Sequence, residues 1–367
     1  MRSNDTKRIA VLAGDGIGPE VMREALNILH GICSRFDRKM EFVTGLVGGA
    51  AFEEYGVHFP DDTRNICEGV DAILFGSVGG PLSQAHLQKW QGCEANSILA
   101  IRRCFGLAAN LRPTVVYPEL IAGSPLKAEV VGEGIDLMII RELQGDLYFG
   151  EHTMFTREGS RCARDSGEYT EEQIALVARV AFTSAEKRRG VVHSVDKANV
   201  LSMSKLWRDV VREVHGEFKG VRLEEILVDN CALQLVRRPR QFDVILAPNL
   251  FGDILSDLAA ALPGSLGLSP SASFNSDGFA LYEPSGGSAP DIAGKGVCNP
   301  IAQILSAAMM LRHSFNWEEE AQVIERAVKG AIRDGFRTAD IANRGDSTER
   351  LVGTAEMGGE ILGRVVA

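Results

Sequence analysis

The sequence has no surplus of positive charge, no apolar run near the length of a membrane span, no paired cysteines and no internal repeat. A formal net charge of −10 over 367 residues argues against a nucleic-acid surface, since neutralising phosphates takes clustered Lys and Arg. Any anionic ligand must then be held by a local arginine cluster working against the overall field. Seven cysteines (Cys33, Cys67, Cys93, Cys104, Cys162, Cys231, Cys298) are scattered and odd in number, with no C-x-x-C pair. They suit a reducing compartment and exclude a disulfide scaffold or a zinc site. The stretch from Met1 to Arg8 leads straight into a strand without the apolar core of a signal peptide, and no run reaches the ~18 apolar residues of a membrane span. The expectation is a cytoplasmic protein with neither a membrane nor a nucleic-acid partner.

A dinucleotide fingerprint is also missing. Gly14, Gly16 and Gly18 follow the short strand Ile9 to Ala13 and open a helix with Pro19 near its start, yet their spacing is not G-x-G-x-x-G. No acid closes a second strand about twenty residues on, so this is not a standard Rossmann domain.

What is present is ordinary globular material, 45% hydrophobic and 24% charged, in which strands and helices alternate. Strands are expected at Met40 to Thr44, Ala72 to Phe75, Asp136 to Arg141, Val191 to Val195, Glu225 to Val228 and Phe242 to Ala247. Helices are expected at Asp61 to Glu68, Asn96 to Phe105, from Thr170 to the basic run Lys187-Arg188-Arg189, from Asp196-Lys197-Ala198-Asn199, from Asn249 onward and at Ile301 to Leu311. That alternation predicts an α/β fold with a parallel-rich sheet. The proline and glycine cluster from Pro113 to Pro125 marks a domain crossing. Residues 149–169 are polar and lack helical period, as a projecting hairpin or a loose loop would. Pro263 to Pro270 reads as a loop-rich return, and Glu283 to Gly296 as a glycine-rich loop too long to be idle.

Candidate chemistry sits at strand ends and the helix starts after them, where open α/β sheets place ligands. Asp253 and Asp257 are i and i+4, hence stacked on one helix face. Two carboxylates that close need positive charge beside them, and a hard divalent cation such as Mg²⁺ accepts carboxylate oxygens readily. The alternative is a solvated helix start whose acids complement the macrodipole. Asp229 would make a third carboxylate for one Mg²⁺ or Mn²⁺. Arg102, Arg112 and Arg141 have the planar fork that grips carboxylates bidentately, although each taken singly is as readily a structural residue. Lys197 and Tyr148 are candidates for base and acid only through such company; singly they read as a solvated lysine and a core tyrosine.

Taken together, Gly14 to Glu20, Ala109 to Pro113, Arg141-Glu142 with Tyr148-Phe149-Gly150, Ser194 to Asn199, Asn249 to Asp257 and Gly287 to Asn299 resemble the β-decarboxylating dehydrogenases of 2-hydroxy acids, the isocitrate and isopropylmalate dehydrogenase family. The likeness runs in order from about residue 8 to 345. It implies a two-domain isopropylmalate-dehydrogenase-like fold with the active site in the cleft. Residues 1–107 and 264–367 would form the cofactor-binding domain, and 108–263 the substrate, metal and dimerisation domain with an arm at 149–169.

The resemblance also implies roles. Arg102, Arg112 and Arg141 match the clamp for the malate carboxylates, Tyr148 the general acid, and Lys197 the base supplied by a neighbouring subunit. Asp253 and Asp257 match metal ligands of one subunit, and Asp229 the ligand from the other, bordering the substrate as well. Gly287, Ser288, Ala289, Pro290, Asp291 and Ile292, with Asn299, match the loop holding the adenosine half of the cofactor. An acid at Asp291 suits the free ribose hydroxyls of NAD and repels the 2′-phosphate of NADP. Glu94, Ile98 and Leu99 stand where isopropylmalate-type members have an acid and two leucines; Ser97 is the only polar contender for a further substrate carboxylate. The implied protein is a homodimer with a shared site, acting on a small 2-hydroxy acid with NAD and Mg²⁺ or Mn²⁺. Malate, tartrate, isocitrate and homoisocitrate enzymes, and non-catalytic regulatory subunits, share the scaffold. Ile98 in place of leucine, Gly286 in place of a frequent histidine, and the Pro81 to Cys93 loop depart from the pattern.

Overall fold

The computed structural model describes residues 6–343 and 348–367. Residues Met1 to Asp5, part of the stretch read as lacking a leader, and the end of the likeness near residue 345 lie outside the described residues. The chain forms two compact units, one of Met1–Phe105, Tyr117–Pro125 and Pro263–Ala367, the other of Gly106–Val116 and Leu126–Leu262. No helix among the described residues is long and apolar enough to cross a membrane, and all seven cysteines are free.

In the first unit the strands run in the order Lys39–Thr44, Thr6–Gly14, Ala72–Ser77, Ala280–Pro284, Pro270–Phe274, the first four parallel and the last antiparallel to its neighbour. Ala72–Ser77 is buried along its whole length, as a central parallel strand covered on both faces must be. Helix Gly18–Phe36 takes Pro19 in its first turn, where a missing N–H costs nothing, and lays Val21, Ala25, Ile28 and Ile32 on the core. Helix Ile301–Phe315, apolar on nearly every side, is buried over Ile301 to Leu311, and helices Glu318–Arg333 and Thr354–Val366 complete the layer.

The second unit orders Ala109–Val116, Ile135–Glu142, Val244–Ala247, Val191–Asp196 and Arg222–Leu227, with only the first pair antiparallel. Helix Glu171–Glu186 starts with a capping box in which Thr170 and Gln173 satisfy each other's backbone amides. The basic run after it does more than end the helix. Arg188 Nε donates to Asp243 Oδ1 at 2.8 Å and its Nη2 to Asp136 Oδ1 at 2.6 Å, pinning the helix end to the starts of two strands. Residues 149–169 contain an antiparallel hairpin, His152–Arg157 with Ser160–Asp165, turned by Glu158 and Gly159 at φ 52° and 80°. Two positive φ values in a two-residue loop match the twist of the flanking strands.

Three expectations need correction. The helix read from Asp196 begins at Ser202: Asp196 Oδ1 accepts from Ala198 N at 2.9 Å and holds the chain in a turn before the helix can start. The strand read to Val228 ends at Leu227, and Asp229 lies in the first turn of helix Val228–Arg237. The return at Pro263 to Pro270 runs directly into the antiparallel pair Pro270–Phe274 and Ala280–Pro284, absent from the sequence reading.

Candidate active site

A cluster of charged groups in the second unit gathers where helix Asn249–Ala260 starts beside strand Ile135–Glu142. The helix can come that close because residue 252 is glycine: a Cβ there would lie 2.8 Å from Arg141 Cγ and 2.9 Å from its Cβ. Its first amides are capped from outside the segment, Asn249 N donating to Tyr169 Oη at 2.8 Å and Leu250 N to Asp146 Oδ2 at 3.1 Å. Asp146 sits at φ 69°, a strained position for a residue other than glycine, and its Oδ1 also takes the amide of Leu147.

Three of the candidates converge on Asp253. Its Oδ1 receives Arg141 Nη1, its Oδ2 accepts the Tyr148 hydroxyl at 2.7 Å, and Arg112 Nη2 lies 3.8 Å from Oδ1. Arg112 Nη1 donates to Asp257 Oδ1 at 3.2 Å and to Ser256 Oγ at 2.8 Å, while its Nε is held by Asn110 Oδ1 at 2.7 Å. Arg141, 3% exposed, is oriented by Asn249 Oδ1 on Nε at 2.9 Å. The positive charge that two stacked carboxylates require is thus supplied by two arginines. Burial and the Asp253 carboxylate raise the Tyr148 hydroxyl above its ordinary value, so it keeps its proton. Behind the cluster, burial pushes Glu142 up to about 7 against the lowering effect of the Gly145 and Gln144 amides, and raises Tyr169 strongly.

Lys197 makes its contact elsewhere in the unit. Its Nζ donates to Asp229 Oδ1 at 2.6 Å, and that hydrogen bond holds the Asp229 carboxyl below the usual range. The backbone around Lys197 is fixed by Ser204 Oγ on its amide at 3.0 Å, and by Arg208, which grips the fully buried Asp196 with two bonds of 2.8 Å. Among the described residues, no group of three or more Asp, Glu, His or Cys side chains comes together as a metal set. Asp253 and Asp257 offer hard oxygens one turn apart and fit a divalent ion as part of a site; Asp229 does not join them within the chain.

In the first unit Arg102, 8% exposed on helix Ile98–Cys104, donates Nη2 to Glu283 Oε1 at 2.9 Å. One turn earlier lie Ile98, buried, and Leu99, half-buried, with Glu94 exposed just before the helix. The Ser97 hydroxyl is buried and donated to Cys93 O at 2.5 Å, so the only polar contender there is already engaged.

A cavity of about 410 Å³ opens in the same unit, lined among others by Gly287, Ala289, Ile292 and Asn299. That volume falls within the usual range for small-molecule sites. Its walls are mainly apolar, with Ile17, Val21 and Val297 contributing, which fits the flat, weakly polar face of an adenosine group. Of the remaining candidates, Ser288 is buried behind the wall with its carbonyl accepting Ile17 N at 2.9 Å, Pro290 is half-buried, and Asp291 is exposed. Ala289 holds φ 39°, so the loop bends against its own sterics.

Two acids in the glycine-rich turn were not among the candidates that the sequence offered. The buried Asp15 carboxylate accepts Gly49 N at 2.8 Å, Ala50 N at 2.9 Å and Gly79 N at 3.0 Å, tying three loops together. Glu20 accepts Gly294 N at 3.0 Å and Gly296 N at 3.2 Å and so anchors the far end of the glycine-rich loop. An acid set between glycines, followed by a second just past a proline, was the available signal.

The chain is 51% identical over 354 residues to a 3-isopropylmalate dehydrogenase of Mannheimia succiniciproducens, covering 96% of this chain and 98% of that one. It is 49% identical over 362 residues to a 3-isopropylmalate dehydrogenase of Geobacter sulfurreducens, at 97% and 98% coverage. Among solved structures it matches an isocitrate dehydrogenase of Methylococcus capsulatus with a TM-score of 0.85 at 32% identity, covering 98% of this chain and all of that one. Residues 8–361 match the family described as isocitrate/isopropylmalate dehydrogenase, and the chain belongs to that family.

Proposed function

We propose that the chain catalyses the oxidation and decarboxylation of 3-isopropylmalate to 4-methyl-2-oxopentanoate and CO₂ with NAD, a step of leucine biosynthesis. The observation that carries this reading is identity of about half over nearly the full length of both chains to relatives bearing that activity in their names. The helix before Arg102 supports it, since Ile98 and Leu99 are apolar and the Ser97 hydroxyl is spent on Cys93 O. An additional substrate carboxylate, as in isocitrate, would find no free hydroxyl at Ser97.

In this reading Arg102, Arg112 and Arg141 hold the malate carboxylates, for which a planar guanidinium fork is the natural partner. Glu94, Ile98 and Leu99 face the alkyl group. Lys197 takes the proton of the C2 hydroxyl at Nζ, and Tyr148, which keeps its proton, gives one back to carbon after CO₂ has left. Asp253 and Asp257, with Asp229 of a second copy, would hold Mg²⁺ or Mn²⁺. The loop Gly287 to Ile292 with Asn299 would hold NAD, and an exposed acid at Asp291 suits free ribose hydroxyls. When bound, the ion supplies positive charge beside the developing oxyanion and the dinucleotide accepts the two electrons leaving C2. The working form is then a homodimer in which one copy lends Lys197 and Asp229 to the other, in the cytoplasm, with the first unit serving the cofactor and the second the substrate and metal.

A NAD⁺-reduction assay with Mg²⁺ across isopropylmalate, malate, tartrate, isocitrate and homoisocitrate tests the reading. The expected outcome is the highest kcat/KM with isopropylmalate and modest discrimination against smaller homologues, because one lost methyl contact is worth only about 1–3 kcal/mol. A clear preference for isocitrate or malate, or no turnover of any of the five, would overturn it.

A further inference from the structure

Lys197 carries its reactive nitrogen at the end of a long flexible stem. Its partner there gives it little support: the Lys197 side chain is 28% exposed and that of Asp229 65%. An ion pair so open to water supplies little orientation of its own, so the precision a base needs must come from the root of the side chain. There the backbone groups are engaged. Lys197 N donates to Ser204 Oγ at 3.0 Å, Lys197 O accepts Val200 N and Leu201 N, both at 2.9 Å, and the next amide, Ala198 N, donates to Asp196 Oδ1 at 2.9 Å. Asp196 is fully buried, and a carboxylate away from water keeps its charge only if a cation faces it. Arg208 faces it with two bonds of 2.8 Å, Nε to Oδ2 and Nη2 to Oδ1. Helix Ser202–His215, which carries both Ser204 and Arg208, is tied to strand Val191–Asp196 by the fully buried Trp207, whose Nε1 donates to Ser194 Oγ at 3.2 Å.

We infer that Arg208 is a positioning residue for Lys197, acting through the Asp196 carboxylate; this rests on the reading of Lys197 as the base lent to a second copy. A guanidinium fork fixes the plane of a carboxylate as well as balancing its charge. With the plane fixed, Oδ1 accepts Ala198 N and the turn closes in one place, so the root of Lys197 is set before its stem extends to Asp229. An ammonium at the same point would balance Asp196 without fixing its plane. Arg208 Nε also lies 3.5 Å from Glu225 Oε2, a contact shared with Arg212 that does not lead to Lys197. Damage at Arg208 then belongs to the half-site that a chain lends, with Lys197 and Asp229, and spares the half it keeps, with Tyr148 and Arg141.

Mixed dimers, co-expressed with two different tags and purified on both, test this by NAD⁺ reduction. As a homodimer, Arg208→Gln is expected to lower kcat at least about tenfold with KM for the hydroxy acid within about threefold, because a misplaced base slows the chemical step without touching the carboxylate clamp. Arg208→Lys should recover most of the melting temperature while kcat stays well below wild type. Paired with a Tyr148→Phe chain, an Arg208→Gln chain should host one site of wild-type rate, since that site borrows the intact Lys197 of its partner. Paired with a Lys197→Ala chain, it should host none. Should Arg208→Gln not fold, Ser204→Ala carries the same pairings, removing the acceptor of Lys197 N at a helix position that suits alanine; an unchanged kcat there would overturn the inference. So would full kcat in Arg208→Lys, which reduces Arg208 to charge balance, or the lack of a wild-type site when Arg208→Gln is paired with Tyr148→Phe. The control pair, Lys197→Ala with Tyr148→Phe, is expected to show one working site; if it shows none, the shared-site reading falls and the inference falls with it.

Discussion

The two units prepare for ligands in opposite ways. In the second, the charged groups are already paired: Asp253 is held by Arg141 and Tyr148, Asp257 by Arg112, and Asp229 by Lys197. In the first, the cavity wall is mainly apolar, and the charged groups that shape the loops, Asp15 and Glu20, bind backbone amides. A carboxylate ligand entering the second unit must exchange partners with aspartates that already occupy the arginines, so binding there is substitution. A ligand entering the first unit fills space lined mainly by apolar groups, so binding there is addition. Substitution favours a charged substrate of one shape; addition favours a large, mostly apolar group bound for its area.

The contrast can be broken at several points. The largest effect is expected from Tyr148→Phe and Lys197→Ala, which should lower turnover by about 10²–10⁴ with far smaller changes in KM, as steady-state NAD⁺ reduction would report. If both stayed within about tenfold of wild type, the paired charges of the second unit would be structural only. Next comes Asp15→Ala, which strands three backbone amides and removes hydrogen bonds to a charged group worth about 1.5–3 kcal/mol each. A loss of at least about 3 kcal/mol in chemical denaturation is expected, together with weaker dinucleotide binding. Gly252→Ala is smaller: a methyl at 2.8 Å from Arg141 Cγ should cost about 1–3 kcal/mol and raise KM for the hydroxy acid while dinucleotide affinity holds.

The smallest effect sharpens the comparison. Glu142 is pushed up to about 7 from an ordinary 4.5 by burial, so between those values the folded chain holds a proton that the unfolded chain has released. Stability from this group therefore falls as pH rises through that window and levels off above it. Glu142→Gln should flatten that part of the profile in thermal melts across pH 4.5 to 7, and an unchanged slope would assign it to other groups.

Much of this was legible because period and punctuation agree. Asp61–Glu68 appears as read, with Pro60 before it and acids in its first turn, and the hairpin at 152–165 is announced by Glu158-Gly159 between polar runs. Pro270–Phe274 was hidden because its residues are mostly small and nearly all buried, leaving no alternation to read. The start at Ser202 was missed because Asp196 spends its carboxylate on a turn and on Arg208, a contact made twelve residues away. In the site, residue types and spacing pointed to Asp253, Asp257 and the arginines. They did not reveal that Asp253 pairs with Arg141 and Tyr148, nor that Asp291 stands exposed, since both depend on how neighbouring elements pack.

Asp15 also sets a rule for motion. Its carboxylate is shared by amides from the start of helix Gly49–Tyr55 and from the loop after Ala72–Ser77, while its own turn is bonded through Ile17 N to Ser288 O at the loop beside the cavity. None of these segments can swing away without exposing the same buried anion to the loss of its donors. Opening any one of them removes a donor from a buried anion, which couples the segments energetically, and amide exchange at Gly49, Ala50 and Gly79 is expected to slow or speed together when Asp15 is replaced.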